Sequence, residues 1–300
     1  MARIAVLGSA NMDLVVTVDR APGRGETVSG SAFRTVPGGK GANQALAAAR
    51  AGGAVTFAGA VGADGYGAGI RSLLAADGVD VSGLVTAADA TGTAHITVDA
   101  SGANSIVVVP GANGTVQTLT DAHRSMIARA DVLLLQLELP MAAVVEAARF
   151  ARSRGVTTVI TAAPVVALPD ALLDATDLIV ANEHEAAALA GVAGPEPVAA
   201  AQSLARPGRD VLVTLGAAGL SYVRAGAPVL SMPAFPVEVV DTTAAGDTLV
   251  GALAVARAQD TDLADALRWA SAAAALAVQR LGASASMPRR AEIDAFLSGR

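Results

Sequence analysis

The stretch "DTTAAGDTLVGAL", Asp241 to Leu253, carries the strongest chemical signal in this chain. Three small residues, Ala244, Ala245 and Gly246, stand directly before Asp247, and an apolar run follows. If they turn the chain into a helix, their unpaired backbone N–H groups and the helix dipole form an anion hole open to a phosphate. Asp247 then lies beside the hole, placed to accept a proton from a hydroxyl attacking a terminal phosphoryl group. An acid in a first helical turn also has a plainer use, because its charge favours the dipole. Both readings stay open on this stretch alone. A carboxylate so placed is expected to have a low pKa and to act mainly by orienting the hydroxyl.

Other polar islands interrupt an otherwise apolar chain. "GSANMD" (Gly8–Asp13) leaves the first apolar run; in extended backbone Asn11 and Asp13 share a face, and an amide beside a carboxylate suits vicinal sugar hydroxyls, or simply a turn. "GGKGAN" holds Gly39, Lys40, Gly41, Ala42 and Asn43. Lys40 is the single lysine among 21 lysines and arginines, and its place between glycines favours a need for a compact ammonium over accident. Glu138 ends "VLLLQLELP", at the carboxyl end of a core strand, where open α/β sheets bind ligands; a solvated loop acid is the bland alternative. In "ANEHE", Asn182 and Glu185 fit a helix cap and equally a water-mediated hold on magnesium. "TLGAAG" (Thr214, Leu215, Gly216, Ala217, Ala218, Gly219) could bed a nucleotide or be a tight turn. The common Walker, dinucleotide, zinc-protease and serine-hydrolase signatures are absent.

These islands need elements to hold them. Apolar runs recur at Ile4–Leu7, Val55–Val61, Val132–Leu137, Val156–Ile160, Leu178–Ala181 and Val211–Leu215. Helical patterns ending near glycine lie at Ala42–Ala51, Ala142–Arg154 and Glu183–Ala190. Strand and helix alternate, and the strands are apolar throughout, which predicts a mainly parallel sheet covered by helices on both faces. Asp13–Val18 with Glu26–Val36, and Thr93–Asp99 with Ser105–Val109, alternate in polarity around turn signals and read as two hairpins of a small β-sheet flap.

With 300 residues, 53% hydrophobic and 16% charged, the chain can bury a sizeable core. A net charge of −6 with scattered arginines argues against nucleic acid and membrane partners, and for a small molecule. The chain has no cysteine and three dispersed histidines, which argues against disulfides, a thiolate nucleophile and zinc. The apolar window Trp269–Val278 is too short to span a bilayer and reads as a buried alanine-rich helix, so a cytoplasmic protein is expected.

Together, "GGKGANQALAAARAG" and "DTTAAGDTLVGAL", in this order and separation, resemble the two signatures of the ribokinase branch of the PfkB sugar kinases. The likeness extends from "VLGSANMD" through "LLLQLELP", "ANEHE" and "TLGAAG" to "GASASMP". The resemblance implies a single ribokinase-like α/β domain over residues 1–300, with β-lid segments at about 13–37 and 91–110. It implies ATP-dependent phosphorylation of ribose at the 5-hydroxyl, with Asp247 as base and Ala244, Ala245 and Gly246 as anion hole. Sugar contacts would come from Asn11, Asp13, Gly39, Lys40, Gly41, Ala42, Asn43 and Glu138. The Mg2+–phosphate element would be Asn182 and Glu185, and the nucleotide site Thr214–Gly219 with Gly246 and Ser271. A K+ site would use Asp241, Thr243, Ala277, Arg280, Gly282 and Ser286, several through backbone carbonyls. A homodimer through the lid is expected. The chain departs from the family pattern at Leu249, Val250, Ser271 and Thr161, where phenylalanine, asparagine, histidine and asparagine are usual. The rival expectations are a PfkB kinase for another sugar or a nucleoside and, from another class, a non-catalytic sugar or nucleotide sensor.

Overall fold

The computed structural model describes residues 1–192 and 196–299. In chain order the strands are β1 (Arg3–Leu7), β2 (Asn11–Val18), β3 (Gly30–Gly38), β4 (Ala54–Gly62), β5 (Asp80–Ala87), β6 (Gly92–Val98), β7 (Asn104–Val109), β8 (Val132–Leu135), β9 (Thr157–Thr161), β10 (Leu178–Asn182), β11 (Asp210–Thr214), β12 (Leu220–Val223) and β13 (Leu230–Met232). The helices are α1 (Lys40–Arg50), α2 (Gly65–Ala76), α3 (Asp121–Ala128), α4 (Met141–Ser153), α5 (Asp170–Leu173), α6 (Glu183–Ala190), α7 (Pro197–Leu204), α8 (Ala245–Ala258), α9 (Leu263–Ala277) and α10 (Arg290–Ser298).

Nine strands form the main sheet in the order β13-β12-β11-β10-β9-β8-β1-β4-β5. Pairing is parallel from β11 to β5, and among the described residues of this sheet only β12 and β13 run antiparallel. The central strands are apolar on both faces because each face has its own helical layer. Ile4 and Val6 of β1, with Val132 and Leu134 of β8, join one core; Ala5, Leu7, Leu133 and Leu135 join the other. After β1 the chain moves to β4 and β5 on one side, and it later returns to lay β8 against the opposite edge of β1. The crevice at the carboxyl ends of β1 and β8 is therefore the switch point at which such sheets take ligands.

Helices α1 and α8 meet over this crevice. Their contact is made of small residues: a Cβ added to Gly251 would lie 2.7 Å from the Ala47 Cβ and the Ala48 amide nitrogen. That closeness lets side chains from the first turns of both helices reach one another. A second sheet, ordered β3-β2-β6-β7, stands beside β1 and carries the two expected hairpins.

Most boundaries shift by one or two residues from the sequence patterning, and three of the shifts have a visible cause. β3 begins at Gly30 rather than Glu26, because the Glu26 carboxylate is drawn back into the preceding turn by Arg20 and by the Gly23 N–H at 2.9 Å. β8 stops at Leu135, since Gln136 turns its amide toward α1 and the Leu137 N–H donates to the Ala163 carbonyl. β11 stops at Thr214 because the Leu215 N–H closes a tight turn onto the Gly219 carbonyl.

Candidate active site

Ala244 caps α8 in the left-handed conformation, with φ 58°, an uncommon choice for a residue with a Cβ and one concentrated at functional sites. The turn aims the first amides of the helix outward. Ala245 N–H donates to the Thr242 carbonyl at 3.2 Å, and among the described residues those of Ala244, Gly246 and Asp247 have no partner. A Cβ on Gly246 would meet nothing within 4 Å, so the space before the helix end is open. Donors and dipole together make an anion-binding end.

Asp247, 8% exposed, lies within that first turn. Its Oδ2 accepts from Asn43 Nδ2 at 3.2 Å and its Oδ1 from Gln44 Nε2 at 3.0 Å, both donors coming from α1. Burial pushes its pKa up, with Glu138 adding to the rise, while Lys40 and the two amides oppose it. The low pKa expected from the helix dipole is thus corrected: desolvation beneath α1 outweighs it. The shift makes the carboxylate a better base.

Asp13, on β2, shares this environment. Burial first, then the charges of Glu138 and Asp247, raise its pKa to about 7 against the pull of Lys40. A Cβ on Gly38 would fall 2.3 Å from the Asp13 carboxylate, so only glycine leaves that side chain its place. Gly39 turns the chain into α1 with φ 90°, and Gly41 packs against the Gly8 backbone, where a Cβ would be 2.6 Å from three atoms. The Glu138 carboxylate accepts from the Lys40 backbone N–H at 3.1 Å and from the Ser9 hydroxyl. Asn11 Oδ1 accepts from Asn113 Nδ2 at 2.7 Å, which leaves the Asn11 amino group as its free end. Asn11, Asp13, Lys40, Asn43, Glu138 and Asp247 are thereby gathered at the β1–β8 crevice, with Ala42 buried in the first turn of α1.

A second group lies farther along the sheet. Asn182 pairs with Thr214 across β10 and β11, about 14 Å, or three strand spacings, from β1. Asn182 and Glu185 form a reciprocal cap: the Glu185 N–H donates to Asn182 Oδ1 and the Asn182 N–H to Glu185 Oε2, both at 2.8 Å. Each carboxylate or amide oxygen keeps a lone pair, and the pair is accessible, so the cap and a water-mediated magnesium contact are compatible. Leu215 through Gly219 form a short 3-10 turn whose tip, Gly216, Ala217 and Ala218, is exposed. Ser271 is half-buried on α9.

Beside the α8 terminus, Asp241 Oδ1 accepts from the Thr243 N–H at 2.9 Å and hydroxyl at 2.6 Å, and Oδ2 from the Gly282 N–H at 2.9 Å. Burial acts to raise its pKa, but these bonds and the Arg34 charge hold it below the ordinary value. The buried Ser286 hydroxyl donates to the Ala283 carbonyl at 2.8 Å. Arg280 directs its guanidinium to Glu292, and the Ala277 carbonyl accepts from the Arg280 N–H at 3.1 Å, so backbone oxygen is what these two residues could offer a cation. This all-oxygen set fits a hard monovalent cation.

Sequence reasoning missed Ser9, Gln44, Asn113 and Gln136, all buried and all bonded to the cluster. A signal existed for Gln136, a lone amide inside the apolar run "VLLLQLELP", because a buried polar side chain must find a partner.

The description "pfkB family carbohydrate kinase" matches residues 1–290. The chain is 43% identical over 301 residues to the ribokinase of Bacillus subtilis (strain 168), covering 99% of this chain and 100% of that one. It superposes on the crystal structure of Thermotoga maritima ribokinase with a TM-score of 0.90 at 35% identity, covering 99% and 100% of the two chains. For Arabidopsis thaliana ribokinase complexed with ribose and ATP the TM-score is 0.91 at 34% identity, over 99% of each chain. Fold, motifs and full-length relatives agree, and the chain belongs to the pfkB family of carbohydrate kinases.

Proposed function

We infer that this chain is an ATP-dependent ribokinase, which moves the terminal phosphoryl group of ATP to the 5-hydroxyl of ribose. The observation that carries the reading is Asp247, a buried carboxylate held on both oxygens beside the unpartnered amides of α8. Asn11, Asp13, Gly39, Lys40, Asn43 and Glu138 hold the sugar, exchanging their donors and acceptors with its hydroxyls. The γ-phosphoryl rests on the free amides of Ala244, Gly246 and Asp247 rather than on that of Ala245, whose N–H is taken by the Thr242 carbonyl, and their partial positive charge meets the charge spread over its equatorial oxygens. The ribose O5 forms its bond to phosphorus as the bond to the ADP oxygen breaks. The hydroxyl proton passes to Asp247, whose raised pKa brings it nearer the operating pH.

Asn182 and Glu185 would hold Mg2+ through water, and Asp241, Thr243, Ser286 and the carbonyls of Ala277, Arg280 and Gly282 would hold K+. When bound, these cations supply positive charge to the ATP phosphates and to the region of the anion hole. Thr214–Gly219 and Ser271 border the adenosine, with exposed Val239, Val240 and Leu281 adding apolar surface near the cation residues. The second sheet serves as lid. Its β7 edge exposes Ile106, Val107, Val108 and Val109, and β3 exposes Phe33, an apolar surface suited to a second copy of the chain. The cytoplasm is the compartment proposed for it, in keeping with the lack, among the described residues, of a helix long and apolar enough to cross a membrane.

The test is a coupled assay of ADP release over pentoses, hexoses and nucleosides. Ribose is expected to give the highest kcat/KM; a clear win by fructose or adenosine would reject the substrate, and inactivity on all would reject the kinase reading in favour of a sensor.

A further inference from the structure

Gln44 is fully buried in the first turns of α1, and Gln136, 1% exposed, follows the last residue of β8. Gln136 Nε2 donates to Gln44 Oε1 at 2.6 Å, which occupies the acceptor end of the Gln44 amide. Only its amino end is then left for Asp247, and both hydrogens are used: Nε2 lies 3.0 Å from Asp247 Oδ1 and 3.0 Å from Thr161 Oγ1. The arrangement has a cost. Gln136 Oε1 is buried and has no hydrogen-bond partner among the described residues, an orphan of the kind that requires an explanation. Turning both amides over would give that oxygen a donor from Gln44, but it would set Gln44 Oε1 against the Asp247 carboxylate. In either sense one end of the Gln136 amide lacks a partner, and the observed sense is the one that keeps the N–H end of Gln44 on Asp247.

We propose that Gln44 is a positioning residue for Asp247 in phosphoryl transfer, and that Gln136 fixes the sense of the Gln44 amide. The pair holds one oxygen of the carboxylate while Asn43 holds the other, so the remaining lone pairs face the sugar hydroxyl. It also favours the ionised form, because an N–H bond to a carboxylate weakens on protonation. The charged groups acting on Asp247 are Lys40 from α1, Glu138 beyond β8 and Asp13 from β2; of these Lys40 stabilises the charge and the two acids oppose it. Among them the glutamine amide acts at contact distance.

The proposal rests on the kinase reading for its activity readout but not for its direct one. The direct readout is a carboxyl-carbon NMR titration of the ligand-free protein, with the Asp247 signal assigned by its loss in Asp247→Asn. In Gln44→Met, which keeps the length and removes the donor, the Asp247 transition is expected to move to higher pH. Gln136→Met is expected to move it the same way while the melting temperature holds or rises, since the orphaned oxygen goes too. With ribose, kcat of Gln44→Met should fall about 10- to 100-fold, the scale of a displaced catalytic group, with KM little changed and the acid limb of the kcat profile shifted upward. An unmoved Asp247 titration in both variants, or activity losses that only follow the melting temperature, would overturn the proposal. If Gln44→Met does not fold, the Gln136→Met titration decides. A wild type inactive on every sugar would remove the kinase reading and leave the titration to judge the positioning claim.

Discussion

At Asp13, stability and the proposed sugar contact pull in opposite directions. Its carboxyl is buried beside Glu138 and Asp247, and its pKa of about 7 stands above the ordinary 3.8. Between those values the folded chain holds more protons at this group than the unfolded chain, so its contribution to stability falls as pH rises through the window and returns on acidification. Asp13→Asn removes the buried charge. At pH 8 the ligand-free variant is expected to melt higher than wild type, with the difference vanishing toward pH 4, while ribose affinity drops at least tenfold; calorimetry and titration check both. A variant less stable than wild type at pH 8 would contradict the assignment. The candidate site residues Asp13, Lys40, Glu138 and Asp247 stand out in the sequence because they interrupt apolar surroundings. The direction of the Asp247 pKa was not legible there, because the desolvation comes from the tertiary contact of α1 with α8. Gln44 and Asn113 stayed hidden for the same reason, since their partners are distant in sequence.

At the scale of elements, the close approach of α1 and α8 places Asn43 and Gln44 on Asp247. Gly251, one turn beyond Asp247 on α8, is what permits it. Gly251→Val must push the helices apart, with an expected loss of about 1–3 kcal/mol on denaturant unfolding. Its kcat should fall more than KM changes, and wild-type kinetics would show that the helix spacing does not set the Asp247 geometry. The loops before α8 and after α9 carry a second expectation: replacing sodium by potassium raises activity, and Asp241→Ala abolishes the difference. Equal rates in the two salts would remove the cation from the account. Some boundaries were readable from local chemistry. Helix α6 spans the expected Glu183–Ala190 because Asn182 and Glu185 cap it reciprocally and Gly191 ends it at φ 65°. The ends of β3 and β8 were not readable, since Arg20, Gln44 and the Ala163 carbonyl decide them from elsewhere in the chain.

For the whole molecule, the alternation of apolar runs with helical patterns was enough to expect a parallel sheet between two helical layers. Strand order, the antiparallel β12–β13 edge and the outer strand β5 depend on pairings that no local pattern encodes. The exposed apolar edge at β7 bears on assembly. Wild type is expected to sediment as a dimer and Val107→Arg as a monomer, and a monomeric wild type would leave that surface without the proposed partner. The central proposal is that Asp247 takes the proton as phosphate is transferred at the α8 terminus. The most direct measurement is kcat and ribose affinity in the same preparation of Asp247→Asn. Turnover is expected to fall by about 10²- to 10⁴-fold while ribose binding stays within a few-fold of wild type. Turnover near the wild-type rate, with sugar still bound, would contradict it.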